Sequence, residues 1–365
     1  MKPFEIPLRR VIAAVGACLT LLTVTVASGA EFGAAASMRG LVLQQLKTQL
    51  PSPLSPAAML TITQSPYLTA ATMTAVWKSH ENQSTNDSTT EITSPSLSPV
   101  PQVQLEKLQF RDNGVPSQTV KITNPKGYTA VGNVYIKNSS SKTLDVPQLE
   151  NCVLPNANLD APQVLIIHTH GSEAYTLPKG ESYISTGNYR TSDTSCSVVR
   201  IGDEIAAVLS SYGISVLHDR TLYDDPLYSD AYSRSASGAE EYLKKYPTLY
   251  YIIDIHRDAV EDAKGNQYKL VAEEDKTVAQ MSFVIGTNHD HWQENLSLAV
   301  AVAEDVQEDY PTAMRPIILR NSRYNQHLTA GSLLVEVGTA GNSLDEAIHA
   351  GRIFAASLAE VMLGA

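Results

Sequence analysis

The chain has 365 residues, of which 43% are hydrophobic, enough to bury the core of one large domain with a smaller module beside it. Its 27 basic and 38 acidic residues give a formal net charge of -11. This balance argues against a nucleic-acid-binding protein, which needs clustered lysine and arginine.

The N-terminus has the pattern of a membrane anchor. Lys2, Arg9 and Arg10 precede an uncharged run of 20 residues, 11–30, which would span about 30 Å as a helix. We predict a cytoplasmic tail at 1–10, a single transmembrane helix, and an extracytoplasmic remainder of the chain at the cell membrane. A cleaved signal peptide is the alternative, because small residues end the run.

Two further segments precede the main domain. Residues 31–101 are predicted to be a stalk or linker, since their last third is rich in Ser, Thr, Asn and Pro and has little apolar surface to offset ordering. Residues 102–160 are predicted to form a small β-rich module. Its strands are expected at 120–123 and 130–136, where apolar and polar residues partly alternate.

From 161 to 365 strand patterns alternate with helix patterns. This rhythm predicts an α/β domain with a mostly parallel central sheet and helices on both faces. The predicted strands are 164–168, 214–217, 249–256, 280–286, 316–319 and 333–337, and the predicted helices are 198–211, 238–245, 292–310 and 343–363. Ligands of such sheets bind at the carboxyl ends of the strands.

Two histidines end the first of these strands. Gly171 follows His170 directly and allows the backbone to turn beside it. Because neutral imidazole is a common zinc ligand, His170 is predicted to bind Zn²⁺. His168 is predicted to bind substrate or orient the site, since residues two apart on a strand face the same side. A hydrogen-bonded core histidine is the alternative for either.

The third strand ends in Asp254-Ile255-His256-Arg257-Asp258. His256 is predicted to be the second zinc ligand, and Asp254 or Asp258 the carboxylate that accepts its other N–H. Arg257 is a candidate for substrate contact or for support of the ligands. The alternative is an ion-pair cluster at the end of a strand.

Glu336 interrupts the apolar strand 333–337. A carboxylate there is costly unless it is paired, bound to metal or protonated. Burial would raise its pKa toward neutrality, as a general acid or base requires. Glu336 is therefore predicted to be catalytic, with a structural salt bridge as the alternative.

Catalytic zinc usually has three protein ligands and one open position. Glu173 is the nearest oxygen candidate for the third, and Asp193 and Cys196 are alternatives that stay open. Cys196 could also pair with Cys152, although two thiols fit equally well. Asn325 is a candidate for substrate contact. Other candidates for lining a polar cleft, with loop packing as their alternative, are Tyr175, Arg190, Asn288, Trp292, Asn295 and Gln326.

Three motifs in order, HTHGSEAYT at 168–176, DIHRDA at 254–259 and LLVEVGT at 333–339, resemble the stage II sporulation protein P family. Its members are membrane-anchored cell-wall hydrolases of endospore-forming bacteria, with a core similar to zinc-dependent N-acetylmuramoyl-L-alanine amidases. The resemblance extends over residues 125–360 or so. It implies that residues 161–365 form an amidase-like catalytic domain.

The resemblance also implies an activity and partners. The bond cleaved would join N-acetylmuramic acid to L-alanine in peptidoglycan, during septal wall remodelling in sporulation and engulfment, and peptide cross-links would be a further target. His170 and His256 match the zinc histidines, and Glu336 matches the catalytic glutamate. The amidases have a glutamate ligand where this chain reads Asp193-Thr194-Ser195-Cys196, so the third ligand stays open. The usual partners are a sporulation lytic transglycosylase and membrane engulfment proteins.

Two other functions fit the same residues. A non-catalytic peptidoglycan-binding scaffold would have the fold without stoichiometric zinc. A zinc carboxypeptidase acting on stem peptides would share the metal and release a different product.

Overall fold

An eight-stranded mixed sheet organises the residues that the computed structural model describes, which are 105, 107–149, 154–155, 159–225 and 227–364. The twelve strands among them are β1 Ser117–Gln118, β2 Thr129–Val131, β3 Val134–Ser139, β4 Val164–Ile167, β5 Ser185–Gly187, β6 Arg190–Thr191, β7 Val216–His218, β8 Tyr251–Asp258, β9 Lys269–Leu270, β10 Met281–Gly286, β11 Ile317–Arg320 and β12 Gly331–Thr339. The five α-helices are α1 Val146–Leu149, α2 Val198–Ser211, α3 Ala231–Lys245, α4 Trp292–Asp309 and α5 Leu344–Leu363.

The strand order of the large sheet is β2-β3-β11-β10-β12-β8-β4-β7. The pairs β2–β3 and β10–β12 are antiparallel, and the other five pairs are parallel. The sheet is therefore mostly parallel, as its alternating sequence pattern predicts, with two reversals. The carboxyl ends of β4 and β8 lie side by side, so the loops that follow them meet at one edge.

Helices cover both faces of the sheet around β4. Val164 and Ile166 belong to the large core that includes α2, α4 and α5. Leu165 and Ile167 point the other way, into a smaller cluster with residues of α3. All four residues are buried, which explains why this strand is continuously apolar rather than alternating.

The predicted small module is corrected by the structure. β2 and β3 lie at the edge of the main sheet, where β3 pairs in parallel with β11. A two-stranded hairpin is marginal alone, and the free edge of β11 supplies the backbone partners that it needs. The predicted strand 130–136 is also divided, because Gly132 has a φ of +52° and the chain reverses between Val131 and Val134.

The predicted cytoplasmic tail, transmembrane helix and stalk, residues 1–101, lie outside the described residues. Within the described part of the chain, no helix is both long and apolar enough to cross a membrane.

Candidate metal centre

Three buried side chains converge where β4 and β8 end. One potential ligand atom from each of His170, Glu173 and His256 lies within 4.8 Å of the other two. Nδ1 of His170 is 3.6 Å from Oε1 of Glu173, and Nδ1 of His256 is 3.5 Å from Oε2. The turn after β4 brings the first two together, since the amide of Glu173 donates to the carbonyl of His170 at 3.0 Å.

The carboxylate of Glu173 is held from two further directions. The backbone N–H of Arg257 donates to Oε2 at 3.2 Å, and the Arg190 guanidinium donates to Oε1 at 3.3 Å. Burial acts to raise the pKa of Glu173, but hydrogen bonds from His170 and His256 outweigh it and hold this pKa well below its ordinary value. Glu173 is therefore an ionised ligand candidate in a fixed orientation.

A second carboxylate supports His256 from behind. Oδ1 of Asp254 lies 3.1 Å from Nε2 of His256, so Nδ1 is the nitrogen left to face Glu173. Asp254 is itself fixed, because it accepts from the amide of Thr169 at 2.8 Å and from its hydroxyl at 2.6 Å. Burial would lower the pKa of His256, but Asp254 and Glu173 raise it well above its ordinary value.

This donor set fits a zinc ion. Two imidazole nitrogens and one carboxylate oxygen are a common ligand set of catalytic zinc, and a carboxylate behind a ligating imidazole fixes its orientation. The two buried carboxylates around His256 also make the site negative, which a divalent cation would balance.

Glu336 lies beside this group because of strand register. In the parallel pair β8–β12, Glu336 is directly opposite His256. Desolvation raises the pKa of Glu336 to about 7; His256 opposes the shift, and Glu173 and Asp258 reinforce it. Its Oε2 is buried and has no hydrogen-bond partner among the described residues. Glu336 is thus a carboxyl group poised to exchange protons near neutral pH.

Aromatic rings form one wall of the centre. Tyr228 stacks on His170 with 4.4 Å between ring centroids, and Tyr232 contacts the same imidazole at 5.4 Å. The guanidinium of Arg190 lies 4.6 Å from the centroid of the Tyr228 ring. These contacts restrict the rotation of His170.

His168 does not join the three converging residues. Its Nδ1 lies 3.3 Å from the carbonyl oxygen of Ile255, and its Nε2 lies 2.8 Å from Nε2 of His218. Burial lowers the pKa of His168 to about 3, so the ring is neutral. His168 therefore fixes the backbone of β8 one residue before His256.

The two rings lie against α2 at Gly202. A Cβ at this position would lie 2.6 Å from Nε2 of His218 and 2.7 Å from Nε2 of His168. We expect Gly202→Ala to lower the free energy of unfolding by about 1–2 kcal/mol, because overpacking outweighs the better helix propensity of alanine. Urea denaturation would measure this, with the exposed helical change Ser233→Ala as the control. A stability equal to or above that of the wild type would contradict the packing role of Gly202.

The other predicted residues occupy different places. Asp193 caps the 3-10 turn at 194–196 by accepting from Ser195, and the thiol of Cys196 contacts Asp193 rather than the histidines. The Arg257 guanidinium donates to the carbonyls of Ala174 and Tyr189. Cys152 lies outside the described residues.

Two of the predicted polar residues, Asn325 and Asp258, bond to other residues of the protein. The side-chain amide of Asn325 donates to the carbonyl of Tyr232 at 3.1 Å and to the hydroxyl of Ser235 at 2.8 Å. Asp258 pairs with Arg315 at 2.7 Å, which leaves Asp254 as the carboxylate next to His256.

Sequence reasoning missed Asp224, Tyr228 and Tyr232. Asp224 accepts from Ser172 and Arg190, and the two tyrosines flank His170. Tyr232 lies in the first turn of α3, which begins seven residues before the predicted start of that helix because this polar segment has no apolar periodicity. Two tyrosines spaced four residues apart were the available signal.

Comparison with known sequences gives the family of this chain. The sequence profile described as Stage II sporulation protein P (SpoIIP) matches residues 63–359. The chain therefore belongs to the stage II sporulation protein P family, and the resemblance drawn from its motifs is confirmed.

Stage II sporulation protein P of Bacillus subtilis (strain 168) is 28% identical to this chain over 211 residues. The match spans 52% of this chain and 51% of the relative, so about half of each protein is compared.

Two solved structures are similar at lower identity. The N-acetylmuramoyl-L-alanine amidase AmiC2 of Nostoc punctiforme is 15% identical, with 57% of this chain and 98% of that chain covered and a TM-score of 0.34. The CwlD amidase from Clostridioides difficile, in complex with the GerS lipoprotein, is 16% identical, with 55% and 95% covered and a TM-score of 0.36.

Proposed function

We propose that this protein is a peptidoglycan hydrolase, a zinc-dependent N-acetylmuramoyl-L-alanine amidase that remodels the septal wall during sporulation. The observation that carries the proposal is the buried group of His170, Glu173 and His256 with Glu336 directly opposite His256. Membership of the stage II sporulation protein P family supports the setting in sporulation.

The chemistry follows from the positions of these residues. His170, Glu173 and His256 would hold the zinc ion. When bound, zinc supplies Lewis acidity, which makes water nucleophilic near neutral pH and polarises the amide carbonyl of the substrate. Asp254 keeps the His256 ring oriented through Nε2, and Arg190 and the amide of Arg257 keep Glu173 in place.

Glu336 moves the protons. As the carbon–oxygen bond forms, its carboxylate accepts a proton from the attacking water. It then donates this proton to the amide nitrogen of L-alanine as the carbon–nitrogen bond breaks. Burial raises the pKa of Glu336 above its ordinary value, so the ionised form serves the first step and the protonated form is accessible for the second.

We further propose that residues 11–30 anchor the protein in the cell membrane with the catalytic domain outside. The basic residues before this run support the orientation. A lytic transglycosylase and membrane engulfment proteins are the expected partners, because glycan strands freed of peptides need a second enzyme for their removal.

The products of digestion test the function. Purified sacculi treated with the zinc-loaded full chain should release stem peptides with a free N-terminal L-alanine, which mass spectrometry detects. Release of D-alanine alone would indicate a carboxypeptidase, and cleaved cross-links would indicate endopeptidase activity. Binding to sacculi without any release would support the scaffold and contradict the proposed function.

A further inference from the structure

A small cavity with several polar side chains in its lining adjoins the candidate metal centre and has no part in the proton transfers. Its volume is about 140 Å³, close to that of a cavity that admits a benzene-sized group. Its lining includes Ser172, Thr186, Arg190, Asp224, Asp225 and Tyr228. Two of these lining residues contact candidate zinc ligands, because Tyr228 stacks on His170 and Arg190 donates to Glu173.

The arginine in this cavity is already engaged. Nη1 of Arg190 donates to Asp224 at 2.6 Å and to the hydroxyl of Ser172 at 3.1 Å, and Nη2 donates to Glu173. Asp224 is likewise satisfied, since it also accepts from the amide and hydroxyl of Ser172. The cavity is therefore poorly suited to a carboxylate or phosphate group of a ligand.

Asp225 supplies a charge that its surroundings do not balance. The lining contains one guanidinium against two carboxylates, so one negative charge is in excess. The Asp225 carboxylate is exposed and has no side-chain hydrogen bond or ion pair with a described residue. The hydroxyl group of Thr186 adds a hydrogen-bond acceptor. A compact cation with several N–H donors, such as a primary ammonium, fits this combination.

We infer that the cavity binds the aminoalkyl side chain of the diamino acid in the peptidoglycan stem peptide, with Asp225 as the residue that selects its ammonium group. The inference rests on the proposed function. The diamino acid follows L-alanine by two residues, which is roughly 7 Å along an extended peptide. Tyr228 lines the cavity and stacks on His170 with 4.4 Å between ring centroids, so the cavity adjoins the centre at which that bond would be cleaved.

Two synthetic substrates test the inference. N-acetylmuramoyl-L-alanyl-D-isoglutaminyl peptides ending in lysine or in norleucine have side chains of similar size that differ in the ammonium group. For the zinc-loaded full chain we expect kcat/KM to be on the order of fivefold higher for the lysine peptide, the effect of a partly exposed ion pair. Asp225→Asn should bring this ratio close to one, whereas Glu308→Gln, at an exposed carboxylate of α4, should retain it.

Calorimetric binding of both peptides to the Glu336→Gln variant separates this inference from the function on which it rests. A preference for lysine in binding supports the cavity's role even if neither peptide is cleaved, an outcome that would contradict only the amidase. Equal binding and equal cleavage of the two peptides would overturn the inference and leave the amidase intact. A preference that persists in Asp225→Asn would also overturn it.

Discussion

Glu336→Gln is expected to lose about 10²- to 10⁴-fold in the rate of amide cleavage while it keeps its metal. Glutamine has nearly the same shape as glutamate but cannot accept the proton of the attacking water. Glu336 is not one of the three converging residues, so its neutralisation leaves their donor atoms in place. Cleavage of purified sacculi and metal analysis of the same preparation measure the two effects together.

The pH profile adds a second readout for Glu336. Because the base must be ionised, the wild-type rate should fall as pH decreases through its pKa, which is about 7 in the metal-free protein and lower beside a cation. The residual rate of Glu336→Gln should lack this dependence. The control Glu308→Gln should behave like the wild type. A Glu336→Gln variant with the full wild-type rate would contradict its role.

Glu173→Gln is expected to weaken zinc binding by at least about 100-fold and to abolish cleavage. The glutamate carboxylate faces both histidines and is the anionic member of the group. Loss of a supporting residue alone costs about 10- to 100-fold in metal affinity, and loss of a ligand should cost more. Competition with a zinc-binding dye would measure the affinity.

Asp193→Asn and Cys196→Ser are matched controls, since the sequence alone allows either residue as the third ligand. The side chains of Asp193 and Cys196 contact each other and Ser195 in the 3-10 turn. We expect both variants to bind zinc as the wild type does. Wild-type affinity in Glu173→Gln together with a loss in either control would reassign the third ligand.

The ends of the strands could be predicted from the sequence because they depend on a local residue pattern. A continuous apolar strand predicted β4, and the histidines that follow it had to lie at its carboxyl end. Glu173 was predictable for the same reason, since it follows His170 by three positions across a tight turn. Local spacing thus placed two of the three converging residues together.

The register between paired strands could not be predicted from the sequence. Glu336 lies opposite His256 only because β12 pairs with β8 in one particular alignment, and a shift of one residue would move it to the other face of the sheet. Packing over the whole sheet fixes this alignment. Asp224 and Arg190 meet in the same way, through a contact across 34 residues that no short motif encodes.

The hairpin at the edge of the sheet could be predicted only in part from the sequence. The segment 130–136 has the composition of a strand, yet its glycine at 132 permits the reversal that makes β2 and β3 a hairpin. A two-residue turn of Gly-Asn was a readable signal. The attachment of this hairpin to β11 was not, because it depends on backbone groups far along the chain.

Zinc titration of the chelator-treated full chain tests the central claim most directly. We predict that one equivalent of zinc binds per chain and that release of stem peptides with N-terminal L-alanine returns in proportion. Binding should be absent in His256→Ala. A chelator-treated protein that binds no zinc, or that cleaves sacculi as well as the zinc-loaded protein, would contradict the assignment of His170, Glu173 and His256 as a catalytic zinc centre.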